Sequence, residues 1–189
     1  MPATGFHAIR GGGATARFAA GEAELLRGLV SQVAELLGED LAAPPPAAVG
    51  GDPAASLEEL IRLSENSSLP TDPVLARLLP DAYPDDHDAA GEFRRYTEQS
   101  LRSGKVAAAR TVLDTLPAGG GRIRLTGEQA QVWLRALNDI RLALGVRLEI
   151  TEDRDDMLER ASRGGQDAAG LWVYDWLSLL QETLVEAVW

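Results

Sequence analysis

The sequence predicts an α+β fold that is mainly α-helical, a helical bundle with a small antiparallel β-sheet. Long segments carry apolar residues at the three- and four-residue spacing of an amphipathic helix. Four short segments are candidate strands, two beside a glycine turn and two with alternating apolar and polar residues. Strands so few and so short cannot form a parallel sheet with crossovers, so an antiparallel sheet beside the helices is expected.

The composition is that of one ordered globular domain, which we assign to residues 1–189. Apolar residues make up 45% of the chain and charged residues 25%, a balance typical of folded rather than disordered proteins. No stretch is long and apolar enough for a membrane span or a secretory signal. We therefore expect a cytoplasmic protein that has no membrane partner.

The N-terminal part predicts a hairpin followed by a helix. Residues 6–9 and 15–18 flank three consecutive glycines at 11–13, which favours a β-hairpin. Apolar residues from 22 to 37 repeat at helical spacing, and Gly38 is expected to end that helix.

The next part predicts a spacer and two short helices. The residues 42–55, rich in proline, glycine and alanine, predict a flexible segment within the domain. Ser56 and Glu59 then have the spacing of a capping box before a short helix. Asp72 and Pro73 are a typical cap and first-turn proline, so another helix is expected to begin there.

A long central helix is expected to begin at the acidic residues 85–88, where the helix dipole favours negative charge. Phe93, Tyr96 and Leu101 lie on one side of it and are assigned to its apolar face. Gly104 is expected to interrupt or kink this helix.

Beyond the central helix, alternating apolar residues predict strands at 122–125 and at 146–150. The helix between these strands is expected to begin at a second capping box, formed by Thr126 and Gln129, and to end at Gly145.

The last helix, expected over residues 171–188, carries more apolar surface than a helix packed on one side requires. Trp176 is assigned to the core, since aromatic residues at helical spacing are usually core residues. Trp172, Val185 and Trp189 are the candidate residues of an exposed patch for self-association or partner docking. A homo-oligomer is therefore one partner hypothesis.

The charge of the chain is acidic overall but basic in its middle. The 18 basic and 29 acidic side chains give a net charge of −11, which opposes binding to nucleic acid. Residues 90–149, however, hold 10 basic and 6 acidic side chains. Because the chain contains no cysteine, disulfides, thiol nucleophiles and cysteine-based zinc sites are excluded.

No motif predicts a catalytic residue, a metal ion or a cofactor, so we expect no enzyme. His87 among the acidic residues 85–88 would suit a divalent cation, but an acidic first turn of a helix is the more common reason for such a pattern. The acidic residues 152–159 predict a solvated surface segment, because they lack the central glycine and final glutamate of a calcium loop. The glycines 11–13 lack the lysine of a phosphate-binding loop.

Five basic residues of the central helix are candidate contacts for nucleic acid or a protein partner: Arg94, Arg95, Arg102, Lys105 and Arg110. Their spacing would place several of them on one face, where they could meet phosphates. The alternative, which the acidic charge of the chain favours, is a solvated face on which they pair with Glu92 and Glu98.

Three segments carry a family resemblance: DPVLARLLPDAYPDDHDAAGEFRRYTEQSLRSGK at 72–105, WLRALNDIRLALGVRLEITED at 133–153, and YDWLSLLQETL at 174–184. They resemble the actinobacterial oxidative-stress transcription regulators of the AosR type, long catalogued as a domain of unknown function. The likeness includes FHAI near the N-terminus and the helix from Glu22, so it spans nearly the whole chain.

The resemblance implies a cytoplasmic, non-enzymatic protein that acts in the transcriptional response to oxidants, through contacts with the transcription machinery and promoter DNA. Redox sensing in such proteins rests on a closely spaced cysteine pair, which this chain lacks, so thiol sensing is not carried over. Two hypotheses follow. The first is a regulator that binds DNA or polymerase components, which the resemblance favours. The second is an interaction adaptor without DNA contact, which the acidic charge favours.

Overall fold

The computed structural model describes residues 5–38, 70–83, 85–151, 162 and 166–189. Within these ranges the three strands form one antiparallel sheet, and helices make up most of the remainder. The predicted α+β, mainly α fold is therefore confirmed. In chain order the elements are β1 (His7–Ala8), β2 (Ala14–Phe18), α1 (Ala20–Leu36), α2 (Pro73–Leu78), α3 (His87–Thr115), β3 (Gly121–Leu125), α4 (Gly127–Arg147) and α5 (Gln166–Val188).

Three predictions fall on residues outside the described ranges. They are the flexible segment 42–55, the short helix that begins at Ser56, and the acidic surface segment 152–159. These three stay predictions, as does the assignment of residues 1–189 to a single domain.

The sheet has the strand order β1–β2–β3, with both neighbouring pairs antiparallel. His7 lies opposite Thr15, so the predicted hairpin is confirmed. The glycines 11–13 all have a positive φ, between 88° and 94°, which residues with a side chain rarely adopt. Gly13 has a further requirement, because a Cβ atom there would collide with the carbonyl oxygen of Leu125 on β3.

The helix boundaries agree with the predicted capping residues. Gly38, with a φ of 87°, follows the end of α1. The Asp72 carboxylate accepts hydrogen bonds from two backbone N–H groups in the first turn of α2, at 2.7 and 3.1 Å. At the start of α4, the Thr126 hydroxyl accepts from the N–H of Gln129, whose side chain accepts from the N–H of Thr126.

Two predicted helix interruptions, at Gly104 and at Gly145, are wrong. Helix α3 runs through Gly104 without interruption, and a Cβ atom there would meet no other atom within 4 Å. Helix α4 runs through Gly145 and continues to Arg147. A Cβ atom at Gly145 would lie 3.5 Å from the ring of Tyr174 on α5, an ordinary van der Waals distance, so this position neither ends the helix nor excludes a small side chain.

The strand predicted at 146–150 is also wrong. Val146 belongs to α4, and Leu148 continues its hydrogen bonding by donating its N–H to the carbonyl of Leu144 at 2.9 Å. Glu149 then has a φ of 51°, which turns the chain away from the helix axis. The apolar residues of this segment are half-buried at the end of a helix, and their alternation does not mark a strand.

The core lies between the sheet and the inner faces of the helices, with Trp133 near its centre. Its side chain is 0% exposed, its ring meets that of Phe6 edge-on at 5.6 Å, and the ring of Phe18 lies 6.1 Å away. Its indole N–H donates a hydrogen bond to the Thr115 hydroxyl at 2.8 Å. The inner face of α5 completes this core with fully buried leucines, Leu177, Leu180 and Leu184.

None of the described helices is both long and apolar enough to span a membrane.

Candidate functional site

At the acidic start of α3, Asp86 caps the helix. The Asp86 carboxylate accepts a hydrogen bond from the N–H of Ala89 at 3.0 Å, which satisfies one of the free donors of the first turn. Asp85 and Asp88 are exposed. Across the described ranges, no three histidine, aspartate or glutamate side chains are arranged to hold a metal ion.

Arg94 is the most deeply buried of the five candidate basic residues, with only 5% of its side chain exposed. Its guanidinium donates hydrogen bonds to Glu98 at 2.9 Å, to Asp81 at 2.5 Å and to the carbonyl of Leu79 at 3.2 Å. Burial alone would lower the pKa of Arg94, but hydrogen bonds and negative charge from Asp81 and Glu98 outweigh it and raise that pKa. The guanidinium therefore holds the segment after α2 against α3.

Arg102 extends the same network by one helical turn. Its Nε donates to the Glu98 carboxylate at 2.9 Å, so that Glu98 lies between two guanidinium groups. Another guanidinium nitrogen of Arg102 donates to the carbonyl of Leu37 at 3.3 Å, just beyond the end of α1. We call Asp81, Arg94, Glu98 and Arg102 the buried ion network. It links α3 to the end of α1 and to the segment after α2.

Lys105 pairs with a carboxylate on a different helix, a partner that no sequence pattern indicated. Its ammonium lies 2.6 Å from the carboxylate of Asp139 on α4, and the Asp139 side chain is 8% exposed. Burial raises the pKa of Asp139, and the hydrogen bond and charge of Lys105 offset this only in part. This pair therefore joins α3 to α4 while the carboxylate stays easier to protonate than usual.

The five candidate basic residues thus have different environments. Arg94, Arg102 and Lys105 pair with internal carboxylates, whereas Arg95 is exposed and Arg110 is half-buried. That any of them contacts nucleic acid or a partner stays a prediction. Of the two glutamates proposed as partners in the alternative, Glu98 forms ion pairs and Glu92 is exposed.

The aromatic side of α3 faces solvent instead of the core. Phe93, Tyr96 and Leu101 are all exposed, and Phe93 makes an edge-on ring contact of 5.9 Å with Tyr83. They lie outside the buried apolar face of α3, to which they had been assigned, because the buried side of this half of the helix is occupied by the ion network. Exposed apolar groups that lie together are typical of contact surfaces.

A groove of about 850 Å³ runs between α3 and α4 beside these exposed side chains. The Lys105–Asp139 ion pair lies in its wall, and Gly104 lines it without a side chain. We call this the α3–α4 groove. Its lining residues include Tyr96, Ser100, Leu101, Ala107, Val132 and Arg135.

The outer face of α5 is a second apolar surface. Trp172 is 60% exposed, Val185 is 39% exposed and Trp189 is 91% exposed, so all three candidate interface residues reach solvent. Trp176 is buried and stacks parallel to Trp172 at a ring distance of 6.3 Å. Whether this surface binds a partner stays a prediction.

One sequence signal for the buried ion network was available. Arg94, Glu98 and Arg102 follow one another at four-residue intervals, which places their side chains side by side on a helix. The partners Asp81 and Asp139 carried no such signal, because they lie 13 and 34 residues from the bases that they bind. Only the packing of other segments against α3 brings them there.

The raised pKa of Asp139 predicts a specific dependence of stability on pH. A carboxyl with a higher pKa in the folded state binds more protons there, so its contribution to stability falls as pH rises above 3.8 through the folded pKa. Asp139→Asn has nearly the same shape and does not titrate. We expect the free energy of unfolding of the wild type, minus that of Asp139→Asn, to be larger at pH 3 than at pH 7, because the raised pKa favours the folded state only while the carboxyl is protonated.

Urea unfolding followed by circular dichroism at several pH values measures this difference. A difference that grows with pH would mean that Lys105 outweighs burial and that the folded pKa is lowered.

Comparison with known proteins identifies relatives of this chain. A Mycobacterium leprae protein is 41% identical over 136 residues, covering 65% of this chain and 61% of that protein. Proteins named oxidative stress regulator AosR from Mycobacterium bovis and Mycobacterium tuberculosis are each 40% identical over 147 residues, covering 70% of this chain and 66% of their own length. The chain thus spans less than two thirds of these relatives.

No solved structure matches the chain. Residues 3–188 match the family described as a domain of unknown function, DUF2017, and this match covers almost the whole sequence. The resemblance identified in the three sequence segments is therefore confirmed. The chain belongs to the DUF2017 family.

Proposed function

We propose that this chain is a non-enzymatic regulator of transcription in the response to oxidative stress, and that it acts through contacts with other proteins. Relatives that share 40% of the aligned residues are named oxidative stress regulators, which supports the biological role. The mechanism rests on a separate observation from the structure.

That observation is the inward pairing of the central basic residues. Arg94, Arg102 and Lys105 form ion pairs with internal carboxylates. A cation that is already neutralised in this way attracts a phosphate only weakly. The net charge of −11 adds a long-range repulsion from DNA. Exposed apolar groups on α3 and α5, by contrast, provide surfaces suited to protein contacts.

Because the chain contains no cysteine, it is not itself a thiol sensor of the oxidant. Without a thiol, this chain cannot form a disulfide in response to peroxide. In the proposed mechanism, the oxidant signal therefore reaches the chain through a partner protein or through a change in its own abundance.

The regulatory role is tested by deleting the gene and measuring transcripts before and after a peroxide pulse. We expect a defined set of peroxide-responsive transcripts to lose its response, and expression of the wild-type chain to restore it. A deletion strain whose peroxide response equals that of its parent contradicts the proposal.

The mechanism is tested by fluorescence anisotropy with duplex DNA from one of those promoters, at about 50 and 200 mM salt. We expect weak binding with no preference over a scrambled duplex. Tight, promoter-specific binding that weakens steeply with salt would show direct phosphate contacts and would overturn the protein-contact mechanism while leaving the regulatory role intact.

A further inference from the structure

We propose that two copies of this chain associate, with the outer face of α5 of each copy docked in the α3–α4 groove of the other. The proposal does not rest on the regulatory role, because it is argued from two surfaces of the described residues alone. It requires that these surfaces match in length, in apolar character and in charge.

The outer face of α5 combines large apolar groups with carboxylates. Trp172, Leu179, Val185 and Trp189 are exposed along it. Asp175, Glu182 and Glu186 are exposed between them, and no basic residue of the described ranges lies within 4 Å of these three carboxylates. Around the helix, these carboxylates lie between the apolar residues of the two sides, so the surface combines exposed apolar groups with unneutralised negative charge.

The groove offers the opposite charge on an apolar surface. Lys105 and Asp139 neutralise each other in its wall, which leaves Arg135 as its uncompensated charge, since Arg135 is exposed and pairs with no carboxylate in the described part of the chain. Tyr96 and Leu101 supply exposed apolar surface at its edge. A groove of this kind suits an apolar helix that carries carboxylates.

The two surfaces also agree in length. From Tyr96 to Thr111 the groove follows α3 for about 22 Å, at the helical rise of about 1.5 Å per residue. From Trp172 to Trp189 the outer face of α5 extends for about 25 Å by the same rise. Roughly the full length of the exposed face can therefore lie in the groove.

The charge of α5 supports the same pairing. Helix α5 has four acidic residues and no basic residue, whereas Arg135 in the groove has no carboxylate partner in the described part of the chain. Since two copies of net charge −11 repel one another at long range, a contact between them needs such local complementarity.

For α5 to be the occupant, a second copy is needed, because α5 cannot fill the groove of its own chain. Its inner leucines, Leu177, Leu180 and Leu184, are fixed in the core, so its outer face is turned away from the molecule. A two-fold arrangement uses the same contact twice, which is the common geometry of homodimers.

The experiment measures the mass of the full chain by light scattering across two decades of micromolar concentration. We expect the wild-type mass to approach twice the chain mass of 20.2 kDa. Gly104→Leu fills the groove at a position where a Cβ atom meets nothing within 4 Å. Leu179→Glu replaces one of the exposed apolar side chains of α5 with a charge. Each variant alone should return the mass to that of a monomer.

The matched control is Gly28→Leu in α1, where a Cβ atom also meets nothing within 4 Å. It should leave the mass of the wild type unchanged. If Gly104→Leu fails to fold by circular dichroism, Ala107→Glu replaces it, because Ala107 is an exposed residue in the lining of the groove. A negative charge there should repel the carboxylates of α5.

Mixing the two monomeric variants decides the arrangement. One variant keeps an intact α5 and the other an intact groove, so an equimolar mixture should regain dimers through one contact. A monomeric wild type overturns the proposal. A dimer that dissociates in the α5 variant alone also overturns it, because that result would indicate contact between two α5 helices. A mixture of the two variants that stays monomeric overturns it as well.

Discussion

Replacing Arg94 with methionine is expected to lower the free energy of unfolding by about 3 kcal/mol, near the lower end for breaking a buried ion pair. Methionine fills much of the volume but leaves the carboxylates of Asp81 and Glu98 without the guanidinium. The loss stays near the lower end because Glu98 keeps its ion pair with Arg102.

Arg95→Met is the matched control, one position along the same helix. Arg95 is exposed, and exposed ion pairs contribute little, so the change should alter stability by less than about 0.5 kcal/mol. Arg94→Lys should recover only part of the loss, since an ammonium group cannot reach Asp81, Glu98 and the Leu79 carbonyl together as the planar guanidinium does.

Urea unfolding of the three variants under one buffer condition measures these differences. Equal effects of Arg94→Met and Arg95→Met would mean that the buried ion network does not stabilise the fold. Full recovery in Arg94→Lys would mean that charge alone matters and that the geometry of the guanidinium does not.

Local signals predicted the fold where the deciding interactions are close in sequence. The caps at Asp72 and at Thr126 each act within three residues, so their pattern survives any tertiary arrangement. The hairpin around the glycines 11–13 was predictable for the same reason, because positive φ values in a tight turn are a local requirement.

In the first half of α3, the sequence pattern did not predict which side chains are buried. Its aromatic residues suggest a core face, yet Phe93 and Tyr96 are exposed while Arg94 and Glu98 are buried. Burial of those charges depends on Asp81 and on the carbonyl of Leu79, which are positioned by the segment after α2. A helical pattern alone cannot reveal that a distant segment supplies the partners of a charged face.

The end of α4 was also mispredicted. Gly145 has the low helix propensity of a stop signal, but helical hydrogen bonding continues past it, and Leu148 donates its N–H to the carbonyl of Leu144. Likewise, the outer face of α5 was a candidate interface in the sequence, whereas the groove between α3 and α4 was not, because it requires two helices to be placed side by side.

Truncation of Trp133 is expected to cause the largest loss of stability among these variants. Trp133→Ala removes a fully buried ring that packs against Phe6 and Phe18, and it leaves a cavity in a close-packed interior. We expect a decrease of about 3–5 kcal/mol in the free energy of unfolding, the range for tryptophan truncation in a core. Trp133→Phe keeps most of the ring volume and should lose less, including about 1 kcal/mol for the hydrogen bond to Thr115.

Trp172→Ala is the control that separates core from surface. Because Trp172 is 60% exposed, its truncation should cost less than about 1 kcal/mol, mainly through the lost stacking on Trp176. Thermal and urea unfolding of the three variants, measured at a concentration where the chain is monomeric, gives the comparison. A loss from Trp172→Ala as large as that from Trp133→Ala would place the outer face of α5 in the stabilising core of the single chain, and a surface needed for that purpose would not be available for a partner.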